Sequence, residues 1–159
     1  MGVMMNRCLL LLAALMTVAC TSLPRTWGKV TLESHNVSVY ELLGRPDYFD
    51  GQPVRVVGVA GFDFGYEGVS AIYGSVADLR HRTHTHIGLD GFAPDLRGAE
   101  QDLEQLNGRF ILVEGTFRSL ERRRNPNAAE TVVTVCIGVT CNVSGVIESV
   151  TRVSEWEEF

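Results

Sequence analysis

The sequence predicts a mainly β (α+β) domain, a small OB-like barrel of five to six strands, on three observations. Apolar or alternating runs of strand length recur at 53–60, 70–74, 83–89, 109–117, 131–135 and 145–153. Helix signals are confined to a short stretch after Ser38 and to the leucines between Leu96 and Leu106. The resulting order is a short helix, three strands, a helix, then two or three strands, which matches a barrel with its helix between the third and fourth strands. A different α+β roll has the same element list. Barrel closure removes sheet edges, a useful property for a small domain.

Ser38-Val-Tyr-Glu41 is a capping box, in which the serine hydroxyl serves the Glu41 amide and the Glu41 side chain reaches back. The helix it starts turns Val39, Leu42 and Leu43 inward and stops at Gly44, before Pro46. Asp50-Gly51 then marks a turn into the valine-rich strand Pro53 to Ala60, expected to be buried on much of both faces. Gly61 to Gly68 is a glycine-punctuated turn carrying Phe62, Phe64 and Tyr66, and Ser70 to Gly74 is a second, short strand.

Thr83 to Leu89 alternates as a third strand, with His84, His86 and Gly88 on one side. Leu96, Ala99, Leu103 and Leu106 fall at helical spacing, and Asn107-Gly108 stops the helix. Arg109 to Phe117 is the fourth strand. A polar connection, Arg118 to Glu130, contains Arg122, Arg123 and Arg124; the last strands, Thr131 to Val135 and Gly145 to Val153, follow.

At the amino end, Asn6-Arg7 precedes Leu9 to Ala19, eleven mostly apolar residues. A spanning helix needs roughly twenty; a cationic start, a short apolar run and small residues before a cysteine form an export signal. Thr17-Val-Ala-Cys20 resembles a bacterial lipobox, with threonine where leucine is more usual. The resemblance implies that Cys20 is acylated and becomes the mature terminus. An ordinary secretory signal cleaved after Ala19 is the rival. Acyl chains contribute about 0.8 kcal/mol per buried CH2, so several hold a protein durably in lipid. Thr21 and Ser22, rather than an aspartate, follow the cysteine, which in a Gram-negative cell implies the outer membrane, facing the periplasm. The chain then divides into a signal peptide (1–19), a flexible tether (20–36), an OB-like domain (37–153) and an acidic-aromatic tail (154–159).

Removing the leader leaves 140 residues, one modest domain, with a formal charge of −6 once Arg7 is lost from the full chain's −5. An acidic domain is a poor general partner for nucleic acid. Cys8 leaves with the leader and Cys20 carries lipid, so Cys136 and Cys141 remain as an even pair. An oxidising compartment lets them bond across a hairpin, with four residues between them. Two buried free thiols are the rival.

Family likeness adds to this. Val39-Tyr-Glu-Leu-Leu43 with the stretch from Pro46 to Gly58, then Leu106 to Phe117 and Ser144 to Arg152, resemble a family of uncharacterised bacterial OB-like proteins. The likeness covers most of 37–153. Family members usually carry a Gly-His pair shortly before the Ser-Gly of the last strand; this chain instead has Cys136 and Cys141 behind a longer insertion. The likeness implies a scaffold, and a scaffold does not fix function.

Among candidate sites, the turn aromatics Phe62, Phe64 and Tyr66 and the basic residues Arg118 and Arg122 to Arg124 sit on the two loops that flank the usual OB ligand face. Stacking beside a basic loop suits a sugar, an anionic headgroup or a single strand. The alternative is a barrel plugged by its own aromatics and a hydrated arginine turn. His84 and His86, two apart, share a strand face and can chelate copper or zinc, although a full site needs three or four ligands. No nucleophile elbow, phosphate loop or zinc-protease helix is present, and nothing calls for a cofactor. The expectation is a non-enzymatic, lipid-anchored envelope protein that binds a partner protein or a small anionic or sugar ligand, with metal binding as the alternative.

Overall fold

A computed structural model describes residues 24–31, 33–66, 68–120 and 145–156. The strands are β1 (Thr26–Gly28), β2 (His35–Ser38), β3 (Pro53–Gly61), β4 (Ala71–Tyr73), β5 (His86–Leu89), β6 (Phe110–Ser119) and β7 (Gly145–Glu155). The helices are short: α1 (Val39–Gly44), α2 (Pro46–Phe49), α3 (Val76–His81), α4 (Pro94–Arg97) and α5 (Glu100–Glu104). β3 pairs antiparallel with β4, β4 with β5, β7 with β6 and β6 with β3, while β5 and β7 run parallel. These five pairings close a barrel with α4 and α5 between its third and fourth strands, an OB-like fold.

Alternation along β3 and β6 sends Val54, Val56, Ala60, Ile111, Val113 and Phe117 into the barrel, where all are almost fully buried. β7 adds Ile147, Val150 and Val153, and the helices add Val39, Leu42, Leu96, Leu103 and Leu106. Burial of such side chains at about 25 cal/mol per Å² is the main term holding the barrel closed. The outward residues of β3 differ from expectation. Arg55 and Val57 are half-buried, and only Val59 is sealed, beneath Leu79 of α3.

β7 bends to stay in the barrel. Thr116 lies opposite Glu148 but Glu114 lies opposite Arg152, so β7 carries extra residues at this point, and Ser149 takes a positive φ of 52° there. Gly115 faces this bulge, and a Cβ on it would come within 2.5 Å of Ile147 Cγ2.

Three expectations are corrected. The tether assigned to 20–36 is in part sheet: β1 pairs antiparallel with 152–154 of β7, and β2 pairs parallel with 54–57 of β3. β4 and β5 are too short to cover the long edges of β3 and β7, and backbone donors and acceptors left there need partners. An edge strand that fills such a gap needs few apolar side chains, here Trp27 and Val37, so its sequence reads as linker. The third strand starts at His86 rather than Thr83, because α3, its left-handed cap Arg82 (φ 49°) and a bend precede it. The tail assigned from 154 begins later, since β7 continues to Glu155. The strand expected at 131–135 lies outside the described residues.

Candidate functional site

The outer face of β2, β3, β6 and β7 is laid out in rungs. In register, Asn36, Arg55, Glu114 and Arg152 form one rung, and Ser38, Val57, Leu112 and Ser154 the next. Val59 and Phe110 form a third. Rungs two residues apart are about 6.7 Å apart along a strand.

Glu114 is fully buried. Its Oε1 accepts from Arg55 Nε at 2.9 Å and Arg152 Nη1 at 3.0 Å, and its Oε2 accepts from the Thr31 amide at 2.6 Å. Charge-assisted bonds of this kind are roughly twice as strong as neutral ones, and a buried carboxylate without them would be prohibitive. The Thr31 bond also fastens the strap of residues 24–38 over the rung. Two further bonds hold that strap, from the Lys29 amide to the Thr151 carbonyl at 2.9 Å and between the Thr31 and Thr151 hydroxyls at 3.0 Å. Two guanidiniums on one carboxylate leave the rung with a net positive charge, in a chain whose formal charge is −5.

The same ratio recurs at the neighbouring barrel mouth. Glu155 Oε1 accepts from Arg109 Nη1 at 3.0 Å and Arg25 Nη2 at 3.3 Å, and its Oε2 accepts from the Arg25 amide at 3.1 Å. That amide bond and the two arginines hold the Glu155 carboxyl below its ordinary pKa, against a smaller opposing effect of burial.

Beside the Arg55 rung lies an open groove of about 520 Å3, lined by Arg55, Val57, Leu112, Trp156, Val37 and Ser38. Trp156 is held over the end of β6 by its amide, which donates to the Phe110 carbonyl at 3.0 Å. Both rings stay accessible, Trp156 at 44% and Phe110 at 36%. The groove therefore has a cationic end, an aliphatic floor and an aromatic end.

The adjoining outer face, on β4 and β5, is the one on which OB barrels usually take ligands. Here it is roofed by the chain itself. Ser75 caps α3 by accepting from the Asp78 amide at 3.1 Å, and Leu79 then packs on Val59, Ala71 and Tyr73. Asp78 accepts from the Ser75 and Thr83 hydroxyls, each at 2.6 Å, and these bonds hold its carboxyl below the usual range. Tyr73 stacks on His86 at 5.1 Å, and burial pushes its phenol upward in pKa.

The structure separates the residues singled out from sequence. Phe62 is buried and Phe64 half-buried; they stack on each other at 5.9 Å and meet Phe92 edge-on. Asn107 fixes this turn, its Oδ1 accepting from the Phe62 amide at 2.6 Å and its Nδ2 donating to the Phe62 carbonyl at 2.9 Å. The Phe62–Phe64 pair thus plugs the barrel, the alternative reading, and among the turn aromatics only Tyr66 is fully exposed. Arg118 is exposed and pairs with Glu148 at 3.5 Å. It stands at the far end of β6 from the aromatic turn, about 27 Å along an extended strand from Phe110.

His84 and His86 do not share a face as expected. His84 is exposed and precedes the strand, whereas His86 is buried, its Nδ1 donating to the Thr83 carbonyl at 2.8 Å. Among the described residues its Nε2 is buried without a hydrogen-bond partner, and no group of three or more metal-ligating residues occurs. Arg122, Arg123, Arg124, Cys20, Cys136 and Cys141 lie outside the described residues.

Sequence reasoning passed over Arg55, Glu114, Arg152 and Trp156. A signal was present: one arginine and one glutamate interrupt otherwise apolar strands, and charges at such positions are almost never buried unless paired. Comparison of the chain with protein families, with curated proteins and with solved structures gives no match.

Proposed function

We propose that this chain is a lipid-anchored protein of the bacterial cell envelope, tethered through Cys20, whose OB-like barrel binds a partner or small ligand without catalysing a reaction. The short apolar leader and the lipobox-like Thr17-Val-Ala-Cys20 support the anchor. Six positions separate Cys20 from Thr26 in β1, so the barrel stands within about 20 Å of an acylated cysteine. That is a close mount on the outer membrane, facing the periplasm.

The observation that carries the binding reading is the excess of arginine over carboxylate at Glu114, beside an open groove, on an acidic chain. It favours an anionic ligand over a neutral sugar, and a guanidinium is well suited to carboxylate or phosphate. The acidic total speaks against nucleic acid. Metal binding through His84 and His86 draws no support from their geometry.

The test of the anchor is metabolic labelling of the full chain with a fatty acid in a Gram-negative host, followed by membrane fractionation. Label on the wild type and none on Cys20→Ser is the expected outcome. An unmodified thiol at position 20, or an intact leader on soluble protein, would remove the proposal.

A further inference from the structure

We propose that the groove between the Arg55 rung and Trp156 is a binding site for a small amphipathic monocarboxylate, an aryl-alkyl acid of about 10–13 Å. The inference rests on the anionic-ligand reading above and assigns it a place and a chemistry.

Arg55 spends its Nε on Glu114, and among the described residues its two Nη nitrogens have no protein partner. Its side chain is 29% accessible and lines the groove. Glu114 holds the guanidinium in place, and Arg152 shares that carboxylate, so Arg55 is both oriented and under-neutralised. The two remaining nitrogens present parallel donors matched to the two oxygens of a carboxylate. A single net positive charge suits one negative charge; a doubly charged phosphate would arrive with an excess.

The rest of the groove sets the body of the ligand. From the Arg55 rung to the Val59–Phe110 rung is four residues of β3, about 13 Å along the strand. Val57 and Leu112 form the floor over that distance, and Trp156, whose amide donates to the Phe110 carbonyl, stands at its far end. An aliphatic linker on the floor and a ring against Trp156 bury apolar surface at both ends of contact. The volume of about 520 Å3 falls within the range of small-molecule sites. A neutral analogue would leave Arg55 without its carboxylate, and a cation would meet like charge. The barrel face under α3 offers no such combination, since Leu79 already occupies it.

The experiment uses the full chain in detergent, with Trp27→Phe so that Trp156 is the one remaining tryptophan reporter. Probes are 4-phenylbutyrate, 4-phenylbutanol, 4-phenylbutylamine and inorganic phosphate. The expected result is quenching of Trp156 by phenylbutyrate, with the alcohol at least tenfold weaker and the amine weaker still. Arg55→Met should cost phenylbutyrate about tenfold and leave the alcohol unchanged; Arg55→Lys should recover part of the loss. Leu112→Ser should weaken acid and alcohol together, read by calorimetry and with circular dichroism to confirm the fold. Equal affinity for acid and alcohol overturns the proposal, as does binding that Arg55→Met leaves intact in a folded protein. Binding of phosphate without phenylbutyrate would overturn this site while leaving the anionic-ligand reading standing. Absence of binding by every anion would remove both.

Discussion

Two outer faces of one barrel are covered in different ways. Over β4 and β5 the roof is α3, a local insertion that seals with apolar contact: Leu79 rests on Val59, Ala71 and Tyr73. Over β3, β6 and β7 the cover is a distant segment, residues 24–38, fastened by edge pairing and by the Thr31 amide on buried Glu114. The apolar roof closes its face. The polar strap stops short, and the groove between Arg55 and Trp156 remains open beside it. On this scaffold the usual ligand face is therefore closed and a different one is available, which illustrates why fold alone does not locate a site.

The largest effect should come from the handshake under the strap. Glu114→Ala leaves two guanidiniums without their carboxylate and should cost about 3–5 kcal/mol in denaturant unfolding. Arg55→Met/Glu114→Leu/Arg152→Met, which removes the charges together, should recover most of that loss. If the triple variant were as unstable as Glu114→Ala, the charges would be needed for something other than mutual compensation. Next comes Gly28, which has φ +82° and whose Cβ would strike the Thr151 carbonyl. Gly28→Ala should cost about 1–2 kcal/mol and speed amide exchange in β1 while leaving β4 and β5 protected. Uniform loss of protection would mean the strap and barrel unfold as one unit.

For the roof, Leu79→Ala should cost about 1–2 kcal/mol, below the usual range for a core leucine because the residue is only half-buried. Iodide quenching and ligand screens of that variant would show whether the β4–β5 face becomes accessible. Asp78 at the roof and Glu155 beside the strap are both held below their ordinary pKa and give the two covers an acid dependence. Their folded pKa values lie below the unfolded ones, so the unfolded state binds more protons over the intervening range. Their stabilisation is present above the ordinary carboxylate pKa and fades as pH falls through the lowered values. Asp78→Asn and Glu155→Gln should each flatten stability against pH in that acidic window, measured by urea midpoints from neutral pH downward. The smallest effect is expected at His84→Ala, an exposed side chain, which should change stability by under about 0.5 kcal/mol.

The sequence on its own determined the barrel. The apolar runs Pro53 to Ala60 and Arg109 to Phe117, the Ser38 cap and the leucines from Leu96 to Leu106 are local signals. The period of a strand or helix and the chemistry of a cap act over a few residues. α3 carries a local signal too, since Ser75-Val-Ala-Asp78 has the spacing of a cap, although a six-residue helix between two strands shows little apolar periodicity.

Tertiary structure alone decided which charges meet and which faces stay open. Arg55, Glu114 and Arg152 are 59 and 38 positions apart in the chain and become neighbours only through β-sheet register. His84 and His86, two apart in the pattern, part because the strand begins three residues late, at His86. The strap reads as linker for the same reason: edge pairing is made by backbone groups, which every residue carries and no side-chain pattern announces.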